Sequence, residues 1–144
     1  MDRHARLNIL DTHVWLWLME GDPRLTDELV ESLEQSASVG TLSVMTLSLW
    51  EVATLEAAGR IRFLVPVDTW LLEALETPGL NLLEIDASIA AESARLPDDF
   101  PGDAVDRLLV SAARTRNACL YTADPAIIDY GKRGWVNVHA VRIP

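Results

Sequence analysis

Apolar residues fall along the chain in short runs that alternate with longer segments carrying an apolar face. The short runs, rich in aliphatic side chains, predict β-strands at residues 7–10, 40–45, 81–85, 119–122 and 136–141. The longer segments predict helices at residues 12–20, 25–36, 47–58, 68–76, 87–95 and 104–116. Strands that alternate with helices indicate an α/β fold, with a mostly parallel central sheet and helices on both faces.

Length and composition fit one globular domain. The chain has 144 residues, 49% of them hydrophobic, which suffices to bury a full core without disulfides. No repeat, linker or low-complexity segment divides the chain, so we expect a single domain over residues 1–144. The most irregular segment is LPDDFPGD, residues 96–103, a loop rich in Pro and Asp that leads into the last predicted helix.

Charge and cysteine content narrow the classes of function. Cys119 is the only cysteine, which excludes a disulfide framework and a Cys/His zinc site. The first residues are too polar for a signal peptide and no apolar run is long enough to cross a membrane, so we expect a cytoplasmic protein without membrane contact. The net charge of −10 argues against a protein that holds nucleic acid mainly by neutralising phosphates. Bound metal ions would reverse the local sign of charge and allow phosphates to approach.

Five acidic residues are predicted to lie near one edge of the sheet. Asp11 directly follows the first strand, and Asp124 follows the strand at residues 119–122. Glu51 lies one turn into the helix after the second strand, where it interrupts an apolar run. Asp103 and Asp106 are three residues apart at the start of the late helix, so both lie on the same side of its first turn. In open α/β sheets, the carboxyl edge is where ligands bind.

Such a set of acids suits two-metal-ion hydrolysis of a phosphodiester. Mg²⁺ and Mn²⁺ prefer carboxylate oxygens and water as ligands. Two such ions, roughly 4 Å apart, activate an attacking water and stabilise the leaving oxygen. Clustered carboxylates without metal raise one another's pKa, and metal binding relieves that repulsion.

Four segments, taken in order, closely resemble the PIN-domain family, in particular the toxins of VapBC-type toxin–antitoxin modules. They are LDTHVWLW, LSLWEVATLEAAGRI, LPDDFPGDAVDRLLVSAAR and LYTAD, and the likeness extends from Leu7 to about Val141. The resemblance implies an α/β/α sandwich around a five-stranded parallel sheet. It also implies a Mg²⁺- or Mn²⁺-dependent endoribonuclease that acts on RNA, a cognate VapB-type antitoxin as inhibitor, and a homodimer. The helices at residues 25–36 and 47–58 are the candidates for the dimer interface.

The resemblance also implies roles for individual residues. The family's first acid corresponds to Asp11, its helix glutamate to Glu51, the acid of its late helix to Asp106 and its last acid to Asp124. We therefore expect these four residues to be catalytic and to bind metal, directly or through water. The nucleophile is then a metal-activated water.

Three more residues match the family's pattern around these acids. Asp103 corresponds to a further metal-binding acid of the subgroup with an Asp-Thr-His start, Thr122 to a hydroxyl residue that supports the site, and Arg107 to a supporting arginine beside Asp106. Arg107 is a candidate to hold a phosphate or the antitoxin. The subgroup's string His-Arg-Asp-Pro-Phe-Asp-Arg is altered here, since Pro101 and Gly102 replace its histidine and arginine. Any substrate contact of those two side chains is therefore missing.

Each acid also has an ordinary structural interpretation. Asp11, Asp103 and Asp124 all stand where an Asp can cap the next helix, and for Asp103 capping and metal binding are equally good interpretations. Asp106 could merely complement the helix dipole, and Glu51 could be a surface residue.

Alternatives from other classes of protein stay open at this point. One is a catalytically inactive PIN-like binding scaffold. Others are a haloacid-dehalogenase-type phosphatase, which needs a second Asp where this chain has His13, and a receiver domain, which needs a late lysine. The only lysine, Lys132, lies in a loop pattern. For His13 we expect a packed or hydrogen-bonded side chain rather than a general base.

Overall fold

A parallel sheet of five strands forms the centre of the structure, a computed structural model that describes residues 6–142. The ends of the predicted domain, residues 1–5 and 143–144, lie outside the described part, as does half of the segment considered as a signal peptide. The strands are β1 (Asn8–Leu10), β2 (Leu42–Met45), β3 (Leu80–Leu83), β4 (Cys119–Thr122) and β5 (Asn137–Ala140). Their order is β3-β2-β1-β4-β5, and every neighbouring pair is parallel, which confirms the predicted sheet.

Seven helices are present between residues 6 and 142, and they cover both faces of the sheet. They are α1 (Thr12–Glu20), α2 (Asp27–Ser38), α3 (Thr46–Ala57), α4 (Val67–Leu75), α5 (Ala87–Ser93), α6 (Ala104–Thr115) and α7 (Pro125–Lys132). None of these helices has the length and apolar character that a membrane span requires.

Alternation along the strands divides the core into two layers. Ile9 and Leu120 are buried with α5, α6 and α7 on one face, whereas Leu10 and Tyr121 are buried with α1 to α4 on the other. Successive side chains of a strand point to opposite faces, so each strand supplies both layers. The result is the predicted α/β/α sandwich.

The structure adds one helix that the sequence analysis missed. Lys132, which the pattern placed in a loop, is the last residue of α7. Asp124 caps this helix and Pro125 occupies its first position, where a proline loses no hydrogen bond. The boundaries of the remaining elements all agree with prediction to within two residues, and those of α1 and β4 agree to the residue.

Gly79 precedes β3 at a place where no side chain fits. Its φ is +79°, and a Cβ built there would lie 1.9 Å from the carbonyl oxygen of Ala37, in the last turn of α2. A glycine is therefore needed both for the backbone conformation and for the close approach of β3 to α2.

The strand order has one switch point, between β1 and β4, from which the following strands lie on opposite sides. β1 and β4 are neighbours, β2 and β3 follow on one side, and β5 lies on the other. The carboxyl ends of β1 and β4 thus lie side by side, and Asp11 directly follows β1 there. Ligands of open α/β sheets bind at such a switch point.

Candidate active site

Asp11 lies at this switch point with its carboxylate almost fully buried. The residue is 8% exposed and stands at the N-cap position of α1, but its side chain makes no capping hydrogen bond. Instead, its Oδ2 accepts a hydrogen bond of 2.5 Å from the hydroxyl of Thr122. The orientation of the Asp11 side chain is therefore set by its hydrogen bond to β4 and not by capping of α1.

Thr122, the last residue of β4, links two of the predicted acids. It is 0% exposed, and its hydroxyl oxygen accepts a hydrogen bond of 3.0 Å from the backbone N–H of Asp124. Its single hydroxyl proton goes to Asp11, so the N–H of Asp124, the hydroxyl and the carboxylate form one directed chain. These two linked hydrogen bonds fix the start of α7 against the end of β1.

The pKa of Asp11 lies above its usual value. The main cause is desolvation of the buried carboxylate, and the nearby charge of Glu51 acts in the same direction. The hydrogen bond from Thr122 and the charge of His13 oppose the shift. The ionised form of Asp11 therefore lacks a full compensating charge among its described neighbours.

Asp103 and Asp106 lie at the start of α6. Asp103 is the N-cap, since its Oδ1 accepts a hydrogen bond of 3.0 Å from the backbone N–H of Asp106. The pKa of Asp106 is raised to about 7, mainly by partial burial and then by the charges of Asp124, Asp103 and Asp11. The charges of the three N-cap residues Asp11, Asp103 and Asp124 therefore all act on the carboxyl group of Asp106.

Asp124 caps α7 through one oxygen. Its Oδ1 accepts hydrogen bonds from the backbone N–H groups of Ala126 and Ile127, at 2.8 and 3.3 Å. The caps of α6 and α7 thus use Oδ1 of Asp103 and Asp124, and in the described part of the chain Oδ2 of neither residue has a hydrogen-bond partner. Capping leaves each of the two acids an oxygen for a ligand, so the two interpretations of these residues are compatible.

Glu51 is a half-buried residue of α3 whose charge affects Asp11. Its charge raises the pKa of Asp11, and it forms no side-chain hydrogen bond or ion pair within residues 6–142. The charge of Glu51 therefore acts on Asp11 although its side chain is partly exposed.

The loop before α6, where the family's string is altered, is held by Arg107 and leaves no room for a side chain at Gly102. Nη1 of Arg107 donates a hydrogen bond of 2.8 Å to the carbonyl oxygen of Phe100, so the guanidinium supports the loop that precedes α6. A Cβ at Gly102 would lie 2.3 Å from Cε2 of Phe100 and 2.7 Å from Cβ of Asp106. An arginine at this position would require the Phe100 ring to move.

His13 differs from its prediction. The side chain is exposed, its ring centroid lies 6.1 Å from that of Trp17, and it has no hydrogen bond among the described residues. The expected hydrogen bond is thus absent among the described residues, and the contact of the ring is with Trp17, because position 13 faces away from the sheet, whereas Val14 and Trp15 face it.

No three Asp, Glu, His or Cys side chains of residues 6–142 converge closely enough to form a ready-made cage for one ion. The donor set nevertheless suits Mg²⁺ or Mn²⁺, because it consists of carboxylates. Asp11 and Asp106 have raised pKa values, and Oδ2 of Asp103 and of Asp124 has no hydrogen-bond partner within residues 6–142. Mg²⁺ usually binds through one or two carboxylates and keeps several waters, so a three-ligand cage is not required.

Two site-adjacent residues were not predicted from sequence. Thr12 Oγ1 and Ser48 Oγ lie 2.8 Å apart in the buried region between α1 and α3. The available signal was their position, one residue after Asp11 and three before Glu51.

Comparison with known families and proteins gives consistent matches. The family model for the PIN domain matches residues 9–133. Ribonuclease VapC22 of Mycobacterium tuberculosis is 33% identical over 116 residues, which are 81% of this chain and 85% of that protein.

Solved structures share the fold at low identity. VapBC2 from Rickettsia felis, bound to a DNA fragment from its promoter, gives a TM-score of 0.70 at 17% identity and covers 94% of this chain and 99% of its own. DNA-bound VapBC from Salmonella typhimurium gives 0.69 at 14% identity, with 96% and 100% covered.

Proposed function

This chain belongs to the PIN-domain family, and on that premise we propose that it is a VapC-type toxin that hydrolyses RNA phosphodiester bonds with Mg²⁺ or Mn²⁺. Family membership sets aside the phosphatase and receiver-domain alternatives. The observation that carries the proposal is that the charges of Asp124, Asp103 and Asp11 all act on the half-buried Asp106 at the carboxyl edge of the sheet and, after burial, help to raise its pKa to about 7. Uncompensated acids at a ligand-binding edge are typical of a cation site.

Asp11, Asp106 and Glu51 would hold the metal, directly or through water, and Asp103 and Asp124 would contribute their Oδ2 atoms. When bound, the metal supplies Lewis acidity that activates a water and stabilises the leaving oxygen of the phosphodiester. It also supplies positive charge, which an RNA phosphate needs in order to approach a protein with a net charge of −10.

The residues of the chain orient these groups. Thr122 holds Oδ2 of Asp11 by its 2.5 Å hydrogen bond, which leaves Oδ1 available for a ligand. The caps of Asp103 and Asp124 fix the first turns of α6 and α7 against the same edge of the sheet. Arg107 supports the Phe100 carbonyl and thereby the loop that delivers Asp103.

The partner of the chain is a VapB-type antitoxin. A ribonuclease VapC is its relative in sequence, and complexes of VapB with VapC are its relatives in fold. The acidic surface suits an antitoxin segment rich in basic residues, since opposite charges promote association. An Arg of that segment close to the acids would form charge-assisted hydrogen bonds with them.

The decisive experiment replaces Asp11 with Asn. Asn has the same size and still accepts a hydrogen bond from Thr122, but it lacks the negative charge that a cation requires. We expect Asp11→Asn to lower the cleavage of a mixed RNA pool in Mg²⁺ or Mn²⁺ by at least ~100-fold, beyond the effect typical of residues that only support metal ligands. Cleavage by the wild type should also stop in EDTA.

Circular dichroism of both proteins shows whether the fold is retained. Asp27→Asn is the matched control, because Asp27 is an exposed acid in the first turn of α2, and it should cleave like the wild type. An active Asp11→Asn protein would contradict the site. A folded wild type that cleaves no RNA with any metal would favour the inactive scaffold.

A further inference from the structure

A buried pair of hydroxyl groups joins the two helices next to Asp11 and Glu51. Thr12 Oγ1 and Ser48 Oγ lie 2.8 Å apart, and both residues are 0% exposed. Thr12 is the first residue of α1 and directly follows Asp11, whereas Ser48 lies in the first turn of α3. Residues three apart on a helix lie on the same side, so Ser48 and Glu51 leave α3 in similar directions.

This hydrogen bond is the only side-chain hydrogen bond between α1 and α3 in the part of the chain that the structure describes. Neither hydroxyl has another partner there, and a buried hydroxyl without a partner is costly. The two groups must therefore stay together, and their contact fixes the start of α3 against the start of α1.

Glu51 depends on this contact more than Asp11 does. Asp11 has its own anchor in Thr122 of β4, but the side chain of Glu51 has no hydrogen bond or ion pair within residues 6–142. The position of the Glu51 carboxylate is thus determined by how α3 sits on its neighbours. At the acidic edge, the neighbour that α3 meets is α1, through the two hydroxyls.

We infer that the Thr12–Ser48 hydrogen bond positions the Glu51 carboxylate relative to Asp11 and thereby sets the affinity of the site for a divalent cation. The inference rests on the proposed function, because it takes both acids to belong to the metal site. Thr12 and Ser48 are positioning residues, and neither needs to touch metal or RNA. Groups that orient metal ligands affect metal affinity strongly although they make no bond to the ion.

The test is a titration of the full-length protein with Mn²⁺, followed by electron paramagnetic resonance. We expect Thr12→Val and Ser48→Ala each to raise the Kd for Mn²⁺ about tenfold, as is usual for residues that orient metal ligands. Thr12→Ser keeps the hydroxyl and should bind Mn²⁺ like the wild type. The double variant Thr12→Val/Ser48→Ala leaves no buried hydroxyl without a partner, so it should fold even where a single variant does not.

Thr41→Val is the matched control. Thr41 Oγ1 and Ser36 Oγ form a second buried hydroxyl pair, also 2.8 Å apart, but Thr41 precedes β2 at the opposite edge of the sheet. Loss of the Thr41 hydroxyl in Thr41→Val should lower the Tm in EDTA and leave the Kd for Mn²⁺ unchanged.

Two results would overturn the inference. One is a folded double variant, or a folded single variant, that binds Mn²⁺ as the wild type does while its Tm falls as in Thr41→Val. The other is a wild type that binds no Mn²⁺, which would overturn the proposed metal site as well. A wild type that binds Mn²⁺ but cleaves no RNA would contradict only the proposed activity, and the Kd values would still decide the role of the hydroxyl pair.

Discussion

Asp106 shows how strongly the surroundings of a single residue determine its chemistry. An Asp at the third position of an exposed helix is ordinarily ionised and stabilises the helix dipole. Here partial burial and the charges of Asp124, Asp103 and Asp11 raise its pKa from 3.8 to about 7. The position in sequence is thus typical of a stabilising residue, whereas the structure makes its charge unfavourable for folding.

This raised pKa predicts a dependence of stability on pH. The unfolded chain ionises Asp106 near pH 4, but the folded protein resists ionisation up to about pH 7. Stability is therefore lost as the pH rises through this interval, because the unfolded state releases the proton more readily. Asp106→Asn removes the penalty and should raise the Tm in EDTA at pH 8 by at least ~2 °C, a modest value because solvent partly screens the half-exposed carboxyl.

Differential scanning calorimetry at pH 8 and pH 5 checks this prediction. The gain should shrink at pH 5 and vanish near pH 4, where wild type and variant are both neutral at this position. Asp129→Asn, on the exposed side of α7, should show no such pH-dependent gain. A destabilised Asp106→Asn protein at pH 8 would contradict the assignment of repulsion.

At the scale of the elements, α7 begins at a residue for which we propose a chemical role beside its capping role. Asp124 caps the helix through Oδ1, and Pro125 fixes its first turn. We expect Asp124→Ala to lose the cap, which costs about 1 kcal/mol, and to lower the Tm by ~2–4 °C. Asp124→Ser retains a capping oxygen and should keep the Tm, but cleavage should fall in both variants because both lack the charge.

Thermal melts and RNA cleavage on the same preparations separate the two roles. Asp86→Ser offers a comparison, because Asp86 is exposed and caps α5. Its Oδ1 accepts a hydrogen bond of 2.9 Å from the backbone N–H of Ile89. Asp86→Ser should keep both the Tm and the cleavage rate of the wild type. Full activity in Asp124→Ser would limit Asp124 to a capping role.

The elements also show what the sequence could predict. β4 and α1 were placed to the residue, because their apolar patterns are strong and Asp11 and Gly21 mark the ends of α1. α7 was missed because it is only eight residues long, contains Gly131 and begins with a proline that also suits a turn.

Within the site, local patterns identified the acids but not their partners. The hydrogen bond between Asp11 and Thr122 spans 111 positions, and nothing near either residue in sequence announces it. Capping and metal binding use the same residue type, so the sequence left Asp103 undecided, and the structure shows how one carboxylate can serve both.

At the scale of the whole molecule, exposed apolar side chains are concentrated on α3, α4 and their connection. Trp50 is 59% exposed, Leu72 is 65% exposed, and Leu64 is fully exposed. The buried residues of α2, in contrast, are Leu33 and Ser36, and the rest of that helix is largely polar. Of the two predicted candidates for a dimer interface, α3 fits better than α2.

We therefore expect the antitoxin-free protein to form a dimer that depends on Trp50. A charge at this position would be buried without a partner in the interface. Size-exclusion chromatography with light scattering should give a dimer mass for the wild type and a monomer mass for Trp50→Asp. Val39→Asp is the matched control, since Val39 is also 59% exposed but lies at the end of α2. A Trp50→Asp dimer would place the interface elsewhere.

The contact between Asp11 and Thr122 has a consequence for the time at which the protein becomes active. A ribosome adds ~5–20 residues per second, so the two halves of this contact are synthesised about 6 to 22 s apart. Until β4 has left the ribosome, β1 lacks a neighbour on one side and the buried carboxylate lacks its hydroxyl. Chains that end before Thr122 lack both a strand of the sheet and the hydroxyl that holds Asp11, so we expect the proposed site to be complete only in chains that extend past β4.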